Sequence, residues 1–172
     1  MKTKAAILVE QKNELIIDDI DVPKIEEGKV LVEIKATRIC GSQLGEIDGV
    51  KGPDKYLPHL LGHEAGGIVR EIGPLVTRVN EGDHVVCHWR PSMGISGNCP
   101  SYDWKGKKVN AGHITTFSEL AIISENRLTV IDRKYSHELA ALMADTITTG
   151  FGIISNDAKV GIGQSVCVIG VG

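Results

Sequence analysis

The run LLGHEAGG, Leu60–Gly67, decides the reading of this chain. It sets a histidine and a glutamate side by side between glycines, where a buried strand is expected to begin. Taken alone, His63 reads more readily as a packed or surface histidine than as a ligand. Its neighbourhood changes that. Cys40 stands upstream in ICGS, and Glu71–Val86 follows as EIGPLVTRVNEGDHVV. A metalloprotease is excluded, because HEAGG lacks the second histidine of H-E-x-x-H.

Cysteine, then GHE, then a GxxVxxxxxGDxV segment resembles the zinc-containing medium-chain alcohol dehydrogenases. The resemblance is to the N-terminal, GroES-like catalytic domain of that family and covers nearly the whole chain. It implies a mainly β fold with short helices, built as a GroES-like β-barrel. Residues 1–135 are expected to form that domain and 136–164 a helical connection. Residues 165–172 then read as the first strand of a truncated α/β Rossmann domain.

Composition agrees with a globular chain. The 172 residues are 42% hydrophobic and 24% charged, with a net charge of -3. That balance gives no reason to expect nucleic acid or an anionic membrane as a partner. No apolar run reaches the ~20 residues of a bilayer span, and the Lys-rich start lacks a signal peptide's apolar stretch, so a cytoplasmic location is expected. Cys40, Cys87, Cys99 and Cys167 have no framework spacing and read as free thiols or a ligand.

Taken in order, Lys4–Val9 and Glu14–Ile20 read as strands, and Val30–Ile39 alternates as a half-buried strand does. Gly41–Asp48 suits a short helix. Ala65–Ile72, with two glycines, suggests close backbone approach. His84–Trp89, Phe117–Ser124 and Arg127–Ile131 complete the strands, while Arg90–Gly112 reads as an irregular polar lobe. Many short strands separated by turn signals point to a closed or nearly closed barrel. Ser136 can cap a helix over HELAALMAD, and TITTGFGIISNDA continues as a second helical segment. Ser165–Gly172, SVCVIGVG, reads as a buried parallel strand running into Gly170 and Gly172, two glycines of a dinucleotide fingerprint.

The resemblance also assigns roles. Cys40, His63 and Asp145 would hold one catalytic zinc, with Glu64 behind them or as an occasional fourth ligand. Singly, each has an ordinary reading: a small buried hydrophobe, a packed histidine, a helix-start aspartate, a carboxylate paired to an arginine. Ser42 matches the hydroxyl that bonds the substrate oxygen, and a helix N-cap is its plainer role. Gln43 stands where many members carry aspartate, and Gly45 where some carry a relay histidine. No structural zinc is expected, since Arg90–Gly112 holds only Cys99. His88, Trp89, Tyr102 and Trp104 are read as packing or pocket-lining groups, with Trp89 against the substrate. Thr149 would face the nicotinamide.

The implied activity is hydride transfer between a small alcohol or carbonyl substrate and NAD or NADP, from a parent about twice as long that forms a homodimer or homotetramer. The isolated fragment is expected to be inactive. The alternatives are a zinc-free reductase of quinone-reductase type and a non-enzymatic GroES-like module.

Overall fold

The computed structural model describes residues 1–170. Ten strands and three α-helices follow the chain. The strands are β1 (Lys2–Leu8), β2 (Ile16–Asp21), β3 (Lys29–Thr37), β4 (His59–Leu60), β5 (Glu64–Ile72), β6 (His84–His88), β7 (Ser101–Trp104), β8 (Lys107–Asn110), β9 (Leu120–Ser124) and β10 (Leu128–Ile131). The helices are α1 (Gly41–Ile47), α2 (His137–Ala144) and α3 (Thr146–Gly152), and a π-helical turn, Ile153–Asp157, extends α3.

Two sheets form. A closed barrel runs β1-β2-β7-β8-β4, and a five-stranded sheet runs β10-β6-β5-β3-β9. Strand β3 is buried on both faces over its first half, which differs from the one-sided strand expected from its alternation. Val30 and Val32 point into the core of the larger sheet with Val69, Val85 and Ile123. Leu31, between them, points into the barrel core with Ile7, Ile20, Tyr102 and Ile122. Successive side chains of a strand face opposite sides, so an apolar run such as VLV serves two cores at once. Tyr102 ties the sheets together, its hydroxyl accepting the Ile122 N–H at 2.8 Å.

Two expectations are corrected. The lobe 90–112 is not wholly irregular, because β7 and β8 form a hairpin within it. Lys105 and Gly106, at φ 54° and 80°, supply the left-handed turn, so the basic run Lys105–Lys108 belongs to a hairpin tip. Residues 165–170 form no strand and are exposed, while Val171 and Gly172 lie outside the described residues. A buried strand needs flanking strands and covering layers, and among the described residues nothing pairs with this segment.

Packing of α2 on the larger sheet positions the site. Ser136 caps α2 by accepting the Leu139 N–H at 3.2 Å. Ala140 and Ala144 turn inward, and α2 lies so close to β5 that a Cβ on Gly66 would stand 2.3 Å from the His137 carbonyl oxygen. That is the close approach expected of the paired glycines. It sets where α2 ends, and therefore where Asp145 stands.

Loop anchoring is carried by a residue the sequence reading passed over. Glu125 is fully buried, and its carboxylate accepts N–H groups of Thr77, Arg78 (2.7 Å) and Ile95 (2.6 Å). Burial raises its pKa, but those three donated bonds outweigh burial and hold the carboxyl below its ordinary range.

Candidate metal centre

Four elements meet at one point. Cys40 is the N-cap residue of α1, His63 follows the Gly62 turn, Glu64 opens β5, and Asp145 is the junction between α2 and α3. Gly62 has φ +94°, and a Cβ there would lie 2.3 Å from Thr116 Oγ1. Only glycine makes this turn, which delivers His63 into the site. One donor atom each from Cys40, His63, Glu64 and Asp145 lies within 4.8 Å of the other three.

Each donor is held. His63 Nε2 lies 3.0 Å from Asp145 Oδ2. The other Asp145 oxygen, Oδ1, accepts the indole N–H of Trp89 at 2.9 Å and the Thr149 hydroxyl at 2.7 Å. One carboxylate oxygen is thereby pinned and the other is presented to the centre. Burial raises the Asp145 pKa, but bonds from Thr149, Trp89 and His63 more than offset it, and the carboxyl sits below its usual range. It is ionised near neutral pH.

Glu64 is buried, at 1% exposure. Its Oε2 accepts the Thr146 N–H at 3.2 Å and the Thr146 hydroxyl at 2.9 Å. Arg38 donates to that hydroxyl, so an arginine reaches the carboxylate through a threonine rather than directly. Ser42 lies at the second helical position and does not cap α1; its Oγ accepts from Gln43 Nε2 at 3.2 Å. Gln43 is 2% exposed, and its amide lies against His63 Nδ1. The sequence marked Gln43 as a departure; only the fold puts it behind His63.

Several other expected residues sit as follows. Trp89 is half exposed and touches Asp145, while Tyr102 is barrel core and Trp104 donates to Asp18. Thr149 gives its hydroxyl to Asp145. Gly170 is exposed at φ +86°, and Gly172 lies outside the described residues. A cavity of about 710 Å³ is lined by His63 together with, among others, Gln43, Tyr56, His59, Cys99 and Ile114. Trp89 is not among its lining residues.

The donor set fits a zinc-type ion. A thiol, an imidazole nitrogen and carboxylates are borderline-soft to hard donors, and ligand bonds of ~2.1 Å place tetrahedral donors ~3.4 Å apart. A small contraction of the present spacing meets that demand. Behind the donors, Trp89 and Thr149 bond Asp145, Thr146 bonds Glu64 and Gln43 lies against His63, which fixes where each donor points.

The alcohol dehydrogenase GroES-like domain family matches residues 26–133, and the chain belongs to that family. The S-(hydroxymethyl)glutathione dehydrogenases of Synechocystis sp. and of Escherichia coli O1:K1 / APEC are each 32% identical, over all of this chain and 53% of their own length. Benzyl alcohol dehydrogenase from Acinetobacter calcoaceticus superposes with a TM-score of 0.75 at 26% identity, over 93% of this chain and 49% of that one. An alcohol dehydrogenase zinc-binding domain protein from Burkholderia ambifaria shares the fold, with a TM-score of 0.79 at 24% identity over 96% of this chain and 51% of that one. The chain spans about half the length of the curated relatives it matches. Among the described residues no helix is long and apolar enough to cross a membrane.

Proposed function

We propose that this chain is the catalytic domain of a zinc-dependent alcohol dehydrogenase that works with a nicotinamide dinucleotide, NAD or NADP. The convergence of Cys40, His63 and Asp145 beside Glu64 carries the reading. On it, residues 1–135 are the catalytic domain, 136–164 the connection and 165–172 the opening of a dinucleotide-binding domain. Substrates are small alcohols or the matching carbonyl compounds.

Cys40, His63 and Asp145 would hold one zinc, with Glu64 close enough to serve as an alternative fourth donor. Bound there, zinc would supply Lewis-acid polarisation of the substrate oxygen, and the dinucleotide would exchange the hydride. The chain's own residues do the rest. Asp145 Oδ1 is occupied by Trp89 and Thr149, which keeps Oδ2 aimed inward. Ser42, two residues after Cys40 on α1, would bond a substrate oxygen and take up its proton. Trp89 holds Asp145 through its indole N–H. Thr149, next to the site on α3, would border the nicotinamide.

A zinc-free reductase leaves this donor set without a task. Elemental analysis of the chain purified without chelator decides between the two: close to one zinc per chain, lost in Cys40→Ala, is expected. No zinc after supplementation would sink the proposal.

A further inference from the structure

The Gln43 side chain is buried and fully used. Its Oε1 accepts the Cys40 N–H at 2.9 Å, and its Nε2 approaches Ser42 Oγ at 3.2 Å and His63 Nδ1. The orientation of the amide follows from Cys40. A backbone N–H can only donate, so the group facing it has to be the amide oxygen. The NH₂ group therefore faces His63, and an N–H that points at Nδ1 needs a bare lone pair there. The ring proton is then on Nε2, where Asp145 Oδ2 receives it at 3.0 Å. The bonds are mutually consistent.

This tautomer is the wrong one for a metal. Ligation through Nε2, the nitrogen that faces Asp145, needs the lone pair on Nε2 and the proton on Nδ1. That proton would meet the Gln43 N–H head-on. We propose that Gln43 is a positioning residue that locks His63 in its metal-free tautomer, and that its amide turns over when a metal enters. The inference rests on the metal-centre reading above.

Turning over exchanges Oε1 and Nε2. The oxygen then accepts from His63 Nδ1–H, and Ser42 changes from acceptor to donor. The Cys40 N–H is left facing an NH₂ group, with a buried donor lost to its partner. No proton is gained or lost by His63; one moves from Nε2 to Nδ1. A carboxylate at this position meets no such conflict, because it accepts from Cys40 and His63 together. Gln43 thus keeps the metal-free site ordered at a cost to metal affinity.

The test is a long-range ¹H–¹⁵N correlation spectrum of the labelled chain, with His63 assigned by its loss in His63→Gln. The proton is expected on Nε2 in chelator-stripped protein and on Nδ1 after one equivalent of zinc. An Nδ1 proton in the metal-free protein overturns the proposal. Gln43→Glu is expected to move the metal-free proton to Nδ1 and to bind zinc about tenfold more tightly in competition with a chromophoric chelator. Equal or weaker binding by folded Gln43→Glu also overturns it. Zinc binding that Cys40→Ala leaves unchanged would instead sink the metal-centre reading, while the metal-free spectrum still decides Gln43.

Discussion

His63 Nε2 and Asp145 Oδ2 lie 3.0 Å apart across 82 positions of sequence. The positive-φ bend at Gly62 brings one, and the end of α2 brings the other. The cluster of four donors with Cys40 and Glu64 depends on that meeting.

Asp145→Asn keeps the shape and the bonds of one oxygen but removes the charge. Zinc affinity of the variant, measured by chelator competition, should fall by at least about tenfold while the circular dichroism spectrum is unchanged. Unaltered affinity would remove Asp145 from the ligand set.

Trp89→Phe keeps an aromatic ring, though a smaller one, and deletes the N–H that pins Asp145 Oδ1. Affinity for zinc should drop by roughly tenfold, the usual effect of losing a group that orients a ligand. If Trp89 served only to line a substrate pocket, metal affinity would not move.

Gly66→Ala tests the seating of α2. The added Cβ would stand 2.3 Å from the His137 carbonyl oxygen and 2.8 Å from Ala140 Cβ, so the helix has to move. Overpacking of this kind costs about 1–3 kcal/mol. Chemical denaturation should show that loss, and zinc binding should weaken with it because Asp145 rides on α2. Full stability in the variant would mean that α2 is loosely held.

Acid should loosen the same helix. The rings of His84 on β6 and His137 on α2 lie 4.8 Å apart, and among the described residues neither His84 Nδ1 nor His137 Nε2 has a hydrogen-bond partner. Burial, then the charge of His84, lowers the His137 pKa; Glu138 and Glu33 oppose this and Lys35 adds to it. A folded-state pKa below the unfolded one means that the unfolded chain binds more protons. Stability is then fully present above the unfolded value of ~6.5 and is lost as pH falls below it. Thermal melts of the metal-free chain between pH 7.5 and 5.5 should show a falling midpoint, with a shallower slope in His84→Phe.

Much of the scaffold was legible in local sequence. Ser136 as a helix cap, the short helix after Cys40, and the order of the strands all depend on neighbours a few residues away. Such features survive in any tertiary context that permits them. The motif order Cys40, GHE, GxxVxxxxxGDxV identified the family for the same reason, and Asp145 was reached through it rather than from spacing.

Other features needed the fold. The alternation of β3 was read as one-sided, yet Val30, Leu31 and Val32 serve two cores, because a second sheet packs where solvent was expected. The lobe after β6 hid a hairpin, since β7 and β8 are only four residues each and pair mainly with each other. A run such as SVCVIGVG is a strand only where partners exist to take its hydrogen bonds. The hydrogen-bond sense of Gln43 is likewise tertiary. Sequence alone determined which donors the chain owns and the short turns and helices that carry them. Packing of α2 against glycine on β5 decided that they face one another, because contacts between distant residues depend on the shape of both surfaces and not on either segment's own pattern.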